Sequence, residues 1–425
     1  MTLIEELRWR GLIHQLTPGT EEFLADNKAI GYVGFDPTAP SLGIGNLVPL
    51  MLLVHFQRHG HQPIALVGGA TGRIGDPSGK SEERNLLSEE QLEFNLVKMR
   101  DQLARFLDFD TQENPAVMAN NYDWFNNMKV LDFLRDVGKH LTVNYMLSKD
   151  SVKSRMETGI SFTEFSYQLI QGYDFYHLHK NMGCHLQFGG SDQWGNITAG
   201  TELIRRMMGH EEKVYAFTCP LITRADGKKY GKSEKGNIFI DAELTSPYQF
   251  YQFWINNTDE DILKLLKIFS LHPIPELEEL IARQAEVPRT LQYALAEEMT
   301  QRIHGKDALE RVEWASRLLF KKNAAEELAK LSNTEVEDVF AGVPTGTITR
   351  SEIEQNINII DFLAQVGATT SKSDATRKVT KDRCISINTV KVDTSDRDLG
   401  PEDILNDHFI LINTSKRNRF LVYIN

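Results

Sequence analysis

The chain has 425 residues, with 59 acidic and 47 basic side chains and a formal net charge of −12. At ~100–200 residues per domain the length suggests roughly two to four domains; 41% apolar and 25% charged residues make an ordinary globular mix and exclude global disorder. Three widely spaced cysteines, Cys184, Cys219 and Cys384, exclude a disulfide framework and a Cys-x-x-Cys site, and the acidic balance argues against non-specific coating of nucleic acid while leaving room for local basic patches.

Charges interrupt every apolar stretch near Met1, unlike a secretory signal. The longest apolar run, Leu47 to Phe56, is broken by Pro49 and His55, far short of the ~20 residues that span a bilayer. A soluble, reducing, cytoplasmic setting without membrane contact is expected. Residues 1–30 read as helical. Ile30 to Phe35 is a short apolar strand ending in the turn signal Asp36-Pro37-Thr38. Leu47, Leu50, Met51 and Val54 then show a helical period up to His59. Pro49 is expected in the first turn of that helix and Gly60 just past its end. Pro63 to Gly69 reads as a second buried strand, so strand, glycine-rich turn, helix, strand predicts a parallel α/β sheet with chemistry at its strand ends.

From about Tyr122 to Phe165 the pattern is mostly helical. Cys184 to Gly190 reads as another strand running into a turn. Ser246 to about Phe320 is helical throughout, with Ile262, Leu265, Leu266 and Phe269 on one period. Lys321 to Thr345 reads as a linker ending near Gly342-Val-Pro-Thr-Gly346. Beyond it, a helix near Ile359–Val366 gives way to strands at Cys384–Asn388 and Phe420–Ile424. No internal repeat or low-complexity tract is visible. Residues 345–425 carry 11 basic and 11 acidic side chains, so the acid surplus lies before them. Across 371–383, Lys372, Arg377, Lys378, Lys381 and Arg383 oppose only Asp374 and Asp382. Such a strip suits phosphate contact; read alone, it is equally an ordinary solvated face.

Three glycine-rich stretches carry candidate chemistry. Gly43-Ile-Gly45-Asn46 precedes the helix from Leu47, where free backbone N–H groups and the dipole can hold a phosphate; many structural turns look the same. Gly75-Asp76-Pro-Ser-Gly79-Lys80-Ser81 and Gly227-Lys-Lys229-Tyr-Gly231-Lys232-Ser233 both end in Gly-Lys-Ser. A Walker A loop needs four residues between its glycines, and each has three, so neither is a P-loop. The second is nonetheless a basic glycine-rich loop in an acidic chain, suited to clamping a polyphosphate. Tyr167, Gln171 and Asp174 are spaced to share one helix face, which fits a polar network or a ligand site equally. Gly190-Ser-Asp192-Gln193 adds polar groups at a strand end. His177, His179, Cys184 and His185 match no standard zinc spacing, and no metal site is expected there.

These segments resemble the bacterial tyrosyl-tRNA synthetases. The resemblance rests on Tyr32-Val-Gly-Phe-Asp36-Pro-Thr38, Gly68-Gly-Ala-Thr-Gly72, Gly75 to Lys80, Ser161-Phe-Thr-Glu-Phe-Ser-Tyr167 and Gly189-Gly-Ser-Asp192-Gln193-Trp-Gly-Asn196. It continues through Pro220-Leu-Ile-Thr, Lys229 to Ser233 and Ser246 to Trp254, in order along essentially the whole chain. It implies a Rossmann-type α/β catalytic domain over 1–225 with a helical insertion at about 122–165. A nucleotide-clamp loop and an all-α anticodon-binding domain would follow over 226–320, a linker over 321–345 and a small α+β RNA-binding domain over 346–425. It implies a homodimer, whose substrates are L-tyrosine, ATP with Mg²⁺, and tRNA(Tyr), with no permanently bound cofactor. Tyrosine's carboxylate would attack the α-phosphate of ATP, and the tyrosyl group would pass to the 3′ end of the tRNA.

By the same resemblance Tyr32 and Asp174 would bond the substrate phenol, and Asp76, Tyr167 and Gln171 its ammonium. Gln187, Gly190, Asp192 and Gln193 would line the carboxylate and ribose region, and Gly34, Asp36, Thr38, Gly45 and Asn46 would face the nucleotide. Lys80 and Arg84 would serve the transition state and the incoming tRNA end, and Lys229, Lys232 and Ser233 would clamp pyrophosphate. A buried pair that must meet a phenol is left unsatisfied by phenylalanine, a discrimination for which this family is itself the reference case. One departure stands out. The family's His-x-Gly-His signature is Gly43-Ile-Gly45-Asn46 in this chain, with one donor missing at Gly43, so slow tyrosyl-adenylate formation is expected. The alternative is a paralogue or engineered form that binds tyrosine or RNA without catalysing.

Overall fold

The computed structural model describes the chain except residues 79–86, 154, 157–158, 224–229, 231, 234–235, 320–322, 334–335, 337–339, 341 and 416–417. At 151, 232, 233, 236 and 319 it describes the backbone alone. By backbone contacts the chain forms two compact units, residues 1–240 with 259–286 and residues 241–258 with 287–425.

The first unit begins with α1 (Leu3–Trp9), capped by the Thr2 side chain, then β1 (Gln15–Leu16) and α2 (Thr20–Asp26). The short strand interrupts what reads as helix, because Gln15 and Leu16 pair antiparallel with Thr218 and Phe217. The apolar runs at β2 (Ile30–Phe35) and β3 (Gln62–Val67) pair in parallel and are joined by α3 (Ile44–Arg58). This helix starts earlier than its apolar period suggests, so Pro49 lies inside it rather than in its first turn. Lacking an N–H, Pro49 offers no intrahelical donor to the Gly45 carbonyl one turn back. Next come α4 (Glu89–Leu103) and β4 (Val117–Asn120), parallel to β3.

The helical stretch follows as α5 (Tyr122–Phe125), α6 (Val130–Asp136), α7 (Val143–Leu147) and α8 (Asp150–Lys153). Then α9 (Phe162–Met182) runs for 21 residues, from a Ser161 N-cap to left-handed Gly183. It packs along α10 (Trp194–Met208), which connects β5 (Leu186–Gly190) to β6 (Tyr215–Cys219). The sheet order is β1-β6-β5-β2-β3-β4, parallel except for β1. Tyr32, Ile64, Leu66, Phe175, Leu178 and Ile204 form a core between sheet and helices. A two-residue hairpin pairs β7 (Lys232–Ser233) with β8 (Gly236–Asn237). Two helices, α12 (Asp259–Phe269) and α13 (Ile274–Gln284), complete this unit.

The second unit holds the helices α11 (Pro247–Ile255), α14 (Thr290–His304) and α15 (Lys306–Leu319). Its last part is a five-stranded mixed sheet whose longest pair is Phe409–Asn413 with Arg419–Ile424. Phe362, Leu363, Val379, Ile410 and Val422 bind that sheet to the helix Ile359–Gln365. The parallel α/β sheet, the helical run and the small α+β part are thus all present. Among the described residues no helix is long and apolar enough to cross a membrane.

Candidate active site

In a parallel sheet the carboxyl ends of the strands open onto a crevice where neighbouring connections diverge. Here that point lies between β2 and β5, which lead into Asp36 and Ser191. A cavity of about 490 Å³ occupies it. Tyr32, Gly34, Asp36, Thr38, Gly45, Asn46, Asp76, Tyr167, Gln171, Asp174, Gln187, Gly190, Asp192 and Gln193 line it together. They come from β2, α3, the turn after β3, α9, β5 and the turn after it.

The α9 face supplies the deepest group. Asp174 is fully buried; Asn121 Nδ2 donates to its Oδ2 at 3.0 Å and Trp124 Nε1 to its Oδ1 at 2.9 Å. Burial pushes its carboxyl up to about 8, against the pull of those two donors, and the charge of Asp36 adds to the rise. Burial, with Asp174 nearby, also holds the Tyr32 phenol well above its usual range, so it stays a neutral hydroxyl. The Tyr32 hydroxyl and the side-chain oxygens of Gln171 and Gln187 are buried and have no partner among the described residues. Buried polar atoms are nearly always paired, so three such atoms in one cavity mark the seat of a polar ligand.

Two other carboxylates are held rigidly. Asp36 accepts from the Tyr167 hydroxyl at 2.7 Å and from Thr71 Oγ1 at 2.6 Å. Gly68 allows this approach, since a Cβ there would collide with the Asp36 carboxylate. Asp76 accepts from Gln193 Nε2 at 2.7 Å, the Ser78 N–H at 3.0 Å and Asn196 Nδ2 at 3.3 Å.

The remaining wall is the start of α3. Gly43 is its N-cap, and the Gly43 N–H donates to Asn46 Oδ1 at 3.0 Å. With its oxygen so engaged, Asn46 has its amide nitrogen as donor. Segment 238–240 lies alongside: the Ile44 N–H donates to the Ile238 carbonyl at 3.2 Å, and the Ile240 N–H to the Leu42 carbonyl at 3.0 Å. The β7–β8 hairpin therefore returns directly beside Gly43, and Tyr230 lines the cavity. Lys232 and Ser233 are placed there by backbone alone, while Lys80, Arg84 and Lys229 lie outside the described residues.

The basic strip is elsewhere, on the helix Lys372–Thr376 and the π-helical turn Arg377–Lys381. Lys372 pairs with Asp361 at 2.7 Å, Arg377 with Asp374 at 2.8 Å and Lys378 with Asp374 at 3.3 Å. The Lys372–Asp361 pair is exposed, and pairs of that kind contribute little, whereas Asp374 is largely covered by its two partners. Among the described residues, no ion pair engages Lys381 or Arg383.

Sequence reasoning missed Thr71, Asn121 and Trp124, and passed over the role of Asn196. The available signal for Asn121 was its place directly after a strand, but the half-buried run Val117–Asn120 does not advertise itself as one.

A cavity at the switch point of a parallel sheet, lined by carboxylates, amides and a helix N-terminus, defines a class I nucleotide-binding α/β site. Residues 25–321 match the family described as tRNA synthetases class I (W and Y), and residues 335–422 match the tyrosine–tRNA ligase SYY-like C-terminal domain. The chain is 51% identical to a tyrosine–tRNA ligase of Cytophaga hutchinsonii, covering 99% of each chain. It is 52% identical to one of Porphyromonas gingivalis W83 over the whole of both. A C-terminally truncated Aspergillus nidulans mitochondrial tyrosyl-tRNA synthetase superposes with a TM-score of 0.68 at 33% identity, over 75% of this chain and 94% of that one. The chain belongs to the class I tyrosyl-tRNA synthetase family.

Proposed function

We propose that the chain ligates tyrosine to tRNA(Tyr) at the expense of ATP. The observation that carries this reading is the cavity floor: the unpartnered Tyr32 hydroxyl beside buried Asp174 suits a phenol, which donates to one and accepts from the other. Asp76, Tyr167 and Gln171 take the α-ammonium of tyrosine. Gln187, Gly190, Asp192 and Gln193 take its carboxylate and the ribose of ATP. Gly34, Asp36, Thr38, Gly45 and Asn46 face the nucleotide, with magnesium entering as part of the ATP substrate. The tyrosine carboxylate oxygen attacks the α-phosphorus, the bond to the bridging oxygen breaks, and pyrophosphate leaves. The terminal ribose hydroxyl of the tRNA then attacks the tyrosyl carbonyl and AMP leaves. Positioning and charge stabilisation suffice for the first step. Lys80, Arg84, Lys229, Lys232 and Ser233 supply that charge from the two basic loops; the return of the hairpin beside Gly43 supports this for the second loop.

The functional division follows the same reading: catalysis in 1–225 with the insertion at 122–165, anticodon contact in 226–320, a linker over 321–345, and RNA contact in 346–425 through Lys372, Arg377, Lys378, Lys381 and Arg383. The work belongs in the cytoplasm, where tRNA is charged. We also infer a homodimer. Leu131 and Phe162, 79% and 77% exposed, together with Val130 and Val143, leave large apolar surface uncovered around the insertion. Leu131→Asp is expected to shift the chain from dimer to monomer in sedimentation; an unchanged mass would overturn that surface. The main test is tyrosine-dependent ATP–pyrophosphate exchange followed by tRNA charging. Exchange with tyrosine and none with phenylalanine is expected; tyrosine binding without exchange would favour a non-catalytic binding protein.

A further inference from the structure

Five residues beyond Asp174, α9 reaches His179, at the end of the helix away from the substrate face. The His179 side chain is buried, and its Nδ1–H donates to the Cys184 carbonyl at 2.9 Å. Left-handed Gly183 ends the helix and turns the chain, so that His185 stands against His179 with ring centroids 5.0 Å apart and planes at 86°. The Nδ1–H of His185 donates to the Gly183 carbonyl at 2.7 Å, and Phe23 packs on its ring at 5.5 Å. Since a carbonyl can only accept, both imidazoles have a protonated Nδ1. In the neutral ring that leaves Nε2 as a lone-pair donor. A backbone carbonyl on the far nitrogen is the support that orients metal-binding histidines.

Glu212, 33 residues further along and half exposed in the α10–β6 connection, brings its carboxylate to 2.8 Å from His179 Nε2. A lone pair facing a carboxylate at that distance requires a cation between them, either a proton or a metal. Among the described residues, the ligand atoms of His179, His185 and Glu212 lie within 4.8 Å of one another. A tetrahedral ion with bonds of about 2.0–2.1 Å holds its ligand atoms roughly 3.3–3.4 Å apart. Binding such an ion takes an opening of the 2.8 Å His179–Glu212 contact by about half an ångström and a closing of the wider spans toward the same value. His177 and Cys184 stand aside: His177 stacks on Trp124 at 4.3 Å, and the Cys184 thiol is engaged with the Leu186 carbonyl at 3.4 Å.

We propose that His179, His185 and Glu212 form a binding site for a single divalent transition-metal ion of the zinc type. Two imidazoles and one carboxylate leave the fourth position to water, and this nitrogen-rich set selects zinc-like ions over magnesium or calcium. The ion would fasten the end of α9 to the start of β5 and to the approach to β6. It would act on stability, since none of the three ligands lines the catalytic cavity.

The test uses the full chain without a histidine tag, stripped with a chelator. Zinc is titrated against a competing chromogenic chelator, and cobalt(II) replaces zinc for visible spectroscopy. One zinc per chain, visible cobalt bands typical of four-coordination and a rise in Tm with zinc are expected. Loss of supporting partners alone weakens metal sites by about 10–100-fold, so His185→Gln and Glu212→Gln should each weaken zinc by roughly tenfold or more. Tyrosine-dependent exchange, a control for folding, should be unchanged in both. Absence of saturable zinc binding, or unweakened binding in either variant, would overturn the site.

Discussion

Gly43 is the position where restoring a single side chain should change the rate most. Its backbone has φ −90° and ψ 168°, extended geometry open to any residue. A Cβ there would meet the Ile238 carbonyl at 3.5 Å and Asn46 Oδ1 at 3.7 Å, ordinary contact distances. Gly43→His therefore costs no backbone strain, and a poorer N-cap costs at most about 1 kcal/mol of stability. The gain lies in the transition state. One donor aimed at developing phosphate charge contributes ~2.7–4 kcal/mol, or ~10²–10³ in rate. We predict that Gly43→His accelerates tyrosyl-adenylate formation by about that factor with little change in tyrosine affinity, because a phosphate donor acts on the transition state rather than on the bound amino acid. Single-turnover adenylate formation at saturating tyrosine and ATP measures it directly. Asn46→Ala should move the rate the other way, since it removes the side chain whose oxygen holds the Gly43 N–H and whose nitrogen is the remaining donor. If the unmodified chain already activates tyrosine at the rate of Gly43→His, the reasoning fails, and the phosphate charge is met from elsewhere.

Trp124→Phe removes one of the two donors to Asp174, and its loss should cost about 1–3 kcal/mol in tyrosine binding; competition between tyrosine and phenylalanine in the exchange assay shows whether selection weakens. The carboxyl of Asp174 is raised from 3.8 to about 8, so the folded chain binds the extra proton between those values. Stability present at low pH is then lost as pH rises through about 8. Asp174→Asn lacks that loss, so its stability relative to the unmodified chain should improve steadily over this window; parallel melting profiles against pH would contradict the burial argument. Arg155 and Glu164, 4% and 1% exposed, form a paired bridge at 3.0 Å. Arg155→Met leaves a buried carboxylate unpaired and should destabilise the chain by about 3–5 kcal/mol in urea unfolding.

What could be read from the residues alone was what is local. Tyr167, Gln171 and Asp174 share a face because four- and three-residue spacings are fixed by helix geometry, and α9 is a helix with a sound cap at each end. The strands β2, β3 and β5 announce themselves as apolar runs ended by turns, and the strand-end rule then places the cavity. The groups that hold those residues in place are not local. Asp174 takes its donors from 50 and 53 residues away, and Asp36 takes the Tyr167 hydroxyl from 131 residues away. Asn121 was hidden for a further reason: β4 is only four half-buried residues at the sheet edge, without alternation or a β-branched run. The start of α3 failed differently. Apolar spacing places it near Leu47, yet Asn46 reaches back to the Gly43 N–H and starts the helix at Ile44. That contact puts Pro49 inside the helix, where it offers no donor to the carbonyl of Gly45, a residue of the cavity wall. The side chain that sets where this helix begins is thus also one that lines the cavity. A change at Asn46 will therefore move structure and rate together, whereas a change at Gly43, whose side chain is absent, can move the rate at little cost in stability.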